Sequence, residues 1–155
     1  VEVFNENHRT GTVGCRLHYE DNTVQHDGIG AKFNNIGALV IDNKNSKSYY
    51  SYSNKLIKIL GNTAALMMIK KNVFIRLGMF NENYNKCFED VELNLNTIVM
   101  GYENYYDGTC VAYHYESITR ERSTDEEKLD YSNILIPFVR KNLEKIKNKI
   151  LQVSL

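Results

Sequence analysis

Apolar and polar residues change rhythm several times along the chain, and each rhythm has a structural reading. "VEVFNENH" carries Val1, Val3 and Phe4 among polar partners and reads as a helix already under way, the start of a piece cut from a longer protein. "TGTVGCRLHY", "EDNT" and "VQHDGIG" read as strand, tight turn and strand, because β-branched and apolar residues flank a cluster of turn formers. "IGALVI" is a short strand, and the all-polar "DNKNSK" separates it from the Tyr-rich "SYYSYS". In "GNTAALMMIKKNVFIRLGMF", residues 64–69 form an apolar run expected to be buried and residues 72–77 a short helix. Gly78 then falls where a left-handed residue closes that helix.

From Glu89, the apolar residues Val91, Leu95, Ile98 and Tyr102 recur at spacings of four, three and four, with Gly101 near the end. That spacing predicts an amphipathic helix whose first turn holds Glu89 and Asp90. "ENYYDGTCVAYHY" follows as one or two β segments that deliver His114 to a loop edge. Beyond the polar loop "ESITRERSTDEEK", Ser123 or Thr124 caps a final helical stretch in which Tyr131, Ile134, Leu135, Phe138, Val139, Leu143, Ile146 and Ile150 keep helical spacing. Pro137, the only proline, bends that stretch or opens a second segment. The order is α/β, a mixed sheet with flanking helices. It lacks the early βαβ unit and Gly-rich turn of a nucleotide-binding fold.

Composition narrows the function. At 155 residues the chain fits one unit that buries about two thirds of its unfolded surface, so it needs no metal or disulfide to fold. Basic and acidic residues balance at 19 each, which leaves no global field to attract nucleic acid; any electrostatic function is local. Cys15, Cys87 and Cys110 are odd in number and lack Cys-x-x-Cys spacing, and they read as free thiols in a reducing compartment. No apolar run approaches the roughly 18 residues of a membrane span. A soluble, cytoplasmic protein is expected.

Glu89 and Asp90 have an ordinary explanation, since negative charge in a first helical turn complements the macrodipole by a few tenths to about 1 kcal/mol. The functional alternative is that the same dipole favours the ionised carboxylate that a general base requires, beside a dry wall of Phe88 and Val91. Such a base suits deprotonating a sugar hydroxyl. His114 is either a structural histidine or a ligand, and His8, His18 and His26 carry less signal. Arg120 and Arg122 flank a loop able to fold over a phosphate, or simply to lie in solvent. Arg140, Lys141, Lys145, Lys147 and Lys149 stand against Glu144 alone, a face either solvated or suited to anionic headgroups at the inner face of a membrane.

Taken in order, "TGTVGCRLHYEDNTVQHDGIG", "GNTAALMMIKKNVFIRLGMFNENY", "CFEDVELNLNTIVMGY" and "VAYHYES" resemble the C-terminal half of inverting family-two glycosyltransferases of the bacterial rhamnosyltransferase-like kind, over roughly residues 1–118. Residues 119–155 are then a loop and an amphipathic helical appendage. The resemblance implies the C-terminal part of an A-type glycosyltransferase fold, without its N-terminal nucleotide-binding half. It further implies Asp90 as the base, Glu89 as the neighbour that orients base or acceptor, and Gly61 and Asn62 as the loop bordering the sugars. His114 falls on the metal and diphosphate side. A divalent ion, Mg or Mn, a nucleotide-sugar donor and a glycan or lipid-linked acceptor come with the family. Asn81 stands where the family usually has aspartate, Glu92 replaces a second aspartate, Asn96 an arginine, and no Asp-x-Asp occurs in the chain. These residues alone are therefore expected to bind donor poorly. The rival class is a non-catalytic carbohydrate-binding or partner-docking module, in which Tyr49, Tyr50, Tyr52, Tyr105 and Tyr106 stack on sugars or merely pack.

Overall fold

The computed structural model describes residues 2–33, 39–43, 55–115 and 124–153. Its centre is β1 (Thr10–His18), buried along nearly its whole length with only Val13 and Cys15 partly open. A strand covered on both faces belongs in the middle of a sheet. β7 (Glu103–Tyr113) runs parallel along one edge of β1, and β5 (Leu56–Ile59) pairs antiparallel with β7. Short β2 (Val24–His26) and β6 (Met67–Ile69) pair antiparallel with β1. The result is a curled mixed sheet. β3 (Ile29–Phe33) and β4 (Leu39–Asn43) form a separate hairpin, tied back where Ile29 N–H donates to the Gly61 carbonyl at 2.8 Å.

The expected turn between the first two strands is present. Asp21 Oδ1 accepts from the Thr23 N–H at 2.9 Å and hydroxyl at 2.6 Å, and Asn22 takes a left-handed φ of 64°. β7 carries a break, because its register with β1 jumps from Cys15↔Asp107 to Arg16↔Val111. The intervening residues bulge out, which is why the sequence reads equally as one strand or two.

Helix α1 (Glu2–Glu6) buries Phe4, and α2 (Lys71–Arg76) ends at Gly78 with φ +88°. Helix α3 (Glu89–Val99) ends at Gly101 with φ +84°, so both glycines sit where an L side chain is disfavoured. The terminal stretch is α4 (Thr124–Asp130), a π turn over residues 131–135, α5 (Ile136–Lys141) and α6 (Leu143–Val153). Pro137 accounts for the break. With no N–H to donate, it cannot continue the α pattern, and the wide turn before it absorbs the mismatch while proline takes the first turn of α5.

Val91, Leu95 and Ile98 of α3 meet Leu135, Val139, Ile146 and Ile150 in one core with Ile29 and Leu60. The C-terminal helices therefore share the core of the sheet-bearing part. One expectation fails. The run at 64–69 is not buried: Leu66 is 46% and Met68 49% exposed, and Ala64 and Ala65 are open. Those residues form a 3₁₀ turn and a three-residue edge strand, each packed on one side only. Among the described residues no helix is long and apolar enough to cross a membrane.

Candidate functional site

A second stripe runs along α3, made of Asp90, Asn94 and Thr97. These positions, four and three apart, share one helix face, and that face meets the sheet rather than water. Asn94 is 1% and Thr97 0% exposed. Asn94 Oδ1 accepts from the Thr12 hydroxyl at 2.7 Å and from the Asn62 N–H at 3.1 Å. Its Nδ2 donates to the carbonyls of Asn62 and Asp90, both at 2.7 Å. Asn62 Nδ2 in turn donates to Thr12 Oγ1 and to the Tyr105 carbonyl. Asn104 Oδ1 accepts from the Thr12 N–H, and its Nδ2 donates to the carbonyls of Leu60 and Asn94. A buried polar group left without partners is costly, so this network, in which Asn62 Oδ1 is the one side-chain polar atom of Asn62, Asn94 and Asn104 left without a partner among the described residues, fixes helix against sheet in a single arrangement.

Two glycines make the close approach possible. A Cβ on Gly61 would sit 2.5 Å from Asn94 Cβ, and one on Gly14 would collide with the Asn62 side chain. The 61–64 loop is thereby pressed onto the N-terminal half of α3. At its tip the Ala64 N–H donates to Asp90 Oδ2 at 2.9 Å. Among the described residues Asp90 Oδ1 makes no hydrogen bond, and Asp90 is half-buried. One oxygen is held and the other is open, at the positive end of a helix.

The turn into α3 is strained. Phe88 occupies its N-cap with φ 79°, a left-handed conformation that costs a bulky residue about 1–3 kcal/mol. Two contacts hold it there. The Phe88 ring packs on Tyr131 at 5.5 Å between centroids. Fully buried Asp130 accepts from the consecutive N–H groups of Asn85, Lys86 and Cys87 at 2.7–3.1 Å. Burial works to raise the Asp130 carboxyl, but those backbone donors outweigh it and hold the group below the usual carboxylate range. Glu92 is engaged by Asn81 Nδ2 at 3.1 Å and the Tyr84 hydroxyl at 2.7 Å. Burial and that bond keep Tyr84 protonated.

The fourth group at the loop is His26, 6% exposed on β2. Its Nε2 accepts from the Thr63 N–H at 3.1 Å, so the ring proton sits on Nδ1. Burial pushes this imidazole down to about 4, with the negative charge of nearby Asp90 acting the other way. His114, following β7, is half-buried and pairs its Nδ1 with Gln25 Oε1 at 3.0 Å. Since that oxygen only accepts, Nδ1 is the donor, and in the neutral ring the lone pair is on Nε2.

No family model matches the chain. Over 122 residues it is 29% identical to the uncharacterized protein y4gI of Sinorhizobium fredii (strain NBRC 101917 / NGR234), covering 76% of this chain and 13% of that protein. Over 113 residues it is 26% identical to the O-antigen biosynthesis protein RfbC of Myxococcus xanthus, covering 71% of this chain and 9% of that protein. The chain thus spans about a tenth of the length of these curated relatives.

Of the residues singled out from the sequence, Asp90, Gly61 and Asn62 come together around the 61–64 loop, and Glu89 shares the first turn of α3 with Asp90. No hydrogen bond or ion pair among the described residues joins His114 to the acidic pair; its partners are Gln25 and, through its backbone N–H, the His18 carbonyl. Arg120 and Arg122 lie outside the described residues, as do Tyr49, Tyr50, Tyr52 and Ser123. Cations of the basic terminal face have partners within the chain, Lys145 and Lys149 among them. Lys149 pairs with Glu103 at 3.3 Å, and Lys145 Nζ reaches the Val99 carbonyl at 3.4 Å. Sequence reasoning missed Asn94, Asn104 and the weight of His26. The available signal was an asparagine flanked by buried leucines in "ELNLN".

Proposed function

We infer that the chain forms the acceptor side of a glycosyltransferase domain serving polysaccharide biosynthesis, with Asp90 as general base. The observation that carries this reading is the asymmetric setting of Asp90, with Oδ2 capped by the Ala64 N–H and Oδ1 free. A helix-capping carboxylate that bonded only its own first turn would give no such reach to a separate loop. The similarity to RfbC, an O-antigen biosynthesis protein, supports the substrate class, and the motif order of the first subsection supports the reaction.

In the proposed step a hydroxyl of the acceptor glycan or lipid-linked sugar gives its proton to Asp90 Oδ1 while its oxygen forms the new bond to the anomeric carbon. The bond from that carbon to the diphosphate breaks, and its electron pair leaves on the diphosphate oxygen. One displacement inverts the anomeric centre, and the proton on Asp90 passes to water. Glu89 orients the acceptor beside the base; Gly61 and Asn62, buried at the base of the 61–64 loop, set where that loop borders the sugars, and Arg120 and Arg122 are the candidates for contact with the donor phosphates.

Among the described residues His114 is the candidate to hold a divalent ion. In its neutral form His114 would offer Nε2, with Nδ1–H held by Gln25 Oε1 as metal-bound histidines usually have their other nitrogen held. Among the described residues no group of three ligating side chains exists, so further ligands come from the diphosphate and from elsewhere in the protein. When bound, such an ion neutralises the charge that develops on the leaving diphosphate.

The test is Asp90→Asn in the longer enzyme that this reading implies, with transfer followed by release of the nucleoside diphosphate. The substitution preserves shape and removes the proton acceptor, so turnover is expected to fall roughly a hundredfold or more while donor binding stays near normal. Retention of more than about a tenth of the rate would return Asp90 to helix capping.

A further inference from the structure

We propose that His26 is a positioning residue for Asp90, holding the peptide between Asn62 and Thr63 so that the next N–H along the chain, that of Ala64, caps Oδ2 and leaves Oδ1 to the acceptor hydroxyl. The inference rests on the role given to Asp90 above and adds a residue to which the sequence resemblance assigned no role.

Two consecutive backbone donors point to two different acceptors. Thr63 N–H goes to His26 Nε2 at 3.1 Å, and Ala64 N–H goes to Asp90 Oδ2 at 2.9 Å. The Thr63 side chain closes the turn by accepting from the Ala65 N–H at 3.3 Å. Behind the loop, the Asn62 N–H and carbonyl are both held by Asn94. Every polar backbone group from Asn62 N to Ala64 N that these contacts involve is thus fixed by β2, by α3 or by the base itself. His26 is the one anchor of this set that comes from β2, and it is 6% exposed, so water does not replace it readily. The ring must be neutral to accept, and burial keeps it so across the working range. Without that acceptor the peptide between Asn62 and Thr63 is held only through its carbonyl, by Asn94, and rotation about the Thr63 backbone torsions carries the Ala64 N–H away from Oδ2. Asp90 is then free to rotate about its side-chain torsions.

The experiment compares His26→Gln, whose Oε1 restores an acceptor near the Nε2 position, with His26→Leu, which removes it. In the unaltered protein, nitrogen NMR is expected to show His26 as the Nδ1–H tautomer, with coupling across the hydrogen bond from Thr63 N–H to Nε2. The Ala64 amide proton is expected to move upfield in His26→Leu and to stay in place in His26→Gln. In the longer enzyme His26→Leu is expected to lower kcat by roughly ten- to hundredfold with KM for the donor unchanged, and His26→Gln to recover most of it. An Nε2–H tautomer, or equal kcat in the two variants, overturns the proposal; the tautomer measurement needs no variant and decides even if His26→Leu fails to fold. Asp90→Asn in the same assay separates the two readings. If it keeps full rate the base assignment falls, while the tautomer and the Ala64 shift still decide whether His26 sets the loop.

Discussion

Asn94→Ala tests whether buried polar contacts, rather than apolar packing alone, hold α3 on the sheet. The side chain makes four hydrogen bonds of 2.7–3.1 Å. Not all are lost equally. Thr12 Oγ1 keeps Asn62 Nδ2 as a partner, and the Asp90 carbonyl lies in the helix, where the backbone N–H four residues on serves it. The N–H and carbonyl of Asn62, a residue 1% exposed, have no other hydrogen bond among the described residues. Each buried group so orphaned costs about 1–3 kcal/mol, which places the loss near 4 kcal/mol. Against a typical stability of about 5–15 kcal/mol, that is a large fraction. With a slope of about 2 kcal/mol per molar urea, the unfolding midpoint should drop by about 2 M. Asn96→Ala is the internal control. Two residues along, half-buried, it gives a single bond to the Leu77 carbonyl at 3.2 Å and is expected to lose only about 1 kcal/mol. If Asn94→Ala lost no more than Asn96→Ala, the network would be incidental and the apolar core would suffice.

Further predictions concern titration and thiol chemistry. His26 is held near 4 in the fold against an ordinary value of 6.5, so the unfolded chain takes up the proton first. Stability is full above pH 6.5 and falls as pH drops toward 4, by about 3 kcal/mol from this group. The urea midpoint of the wild-type protein should therefore fall relative to that of His26→Gln as pH drops from 7 to 4; parallel curves would show that His26 does not titrate this way. Cys15 is pushed up to about 11 by burial, with neighbouring Cys110 and Asp107 adding to it. Iodoacetamide at pH 8 should modify exposed Cys110 well before Cys15, as read by peptide mass; equal rates would mean that β1 opens readily.

Local features were legible because their causes are local. Gly78 and Gly101 mark helix ends, "EDNT" marks a turn, and Val91, Leu95 and Ile98 mark the apolar side of α3, each through a preference that acts within a few residues. The position of Asp90 in a first turn was readable for the same reason. The polar side of α3 was not. Hydrophobic periodicity assigns asparagine and threonine to solvent, whereas Asn94 and Thr97 are buried because their partners, Thr12, Asn62 and Asn104, arrive from other elements. Residues 64–69 failed in the opposite sense, since apolar character in a short edge segment does not guarantee a second layer to cover it. The parallel pairing of β1 with β7 also leaves no mark within either strand.

That parallel pairing governs when the protein can become itself. Thr10 lies opposite Glu103, so the central strand waits for a partner that is made about ninety residues later. At a synthesis rate of about 5–20 residues per second, β1 spends on the order of 5–20 seconds without its longest neighbour. Antiparallel β2 is ready at once, but it offers only three residues. Loop closure of this span must precede the contacts that reward it, which makes slow folding the expected behaviour. Asn104, in β7, and Asn94, in the helix just before it, bond Thr12 of β1 directly. A strand docked one residue out of step would leave those amides unmatched. The same groups that fix the finished structure therefore also penalise a misaligned strand, which favours the native register.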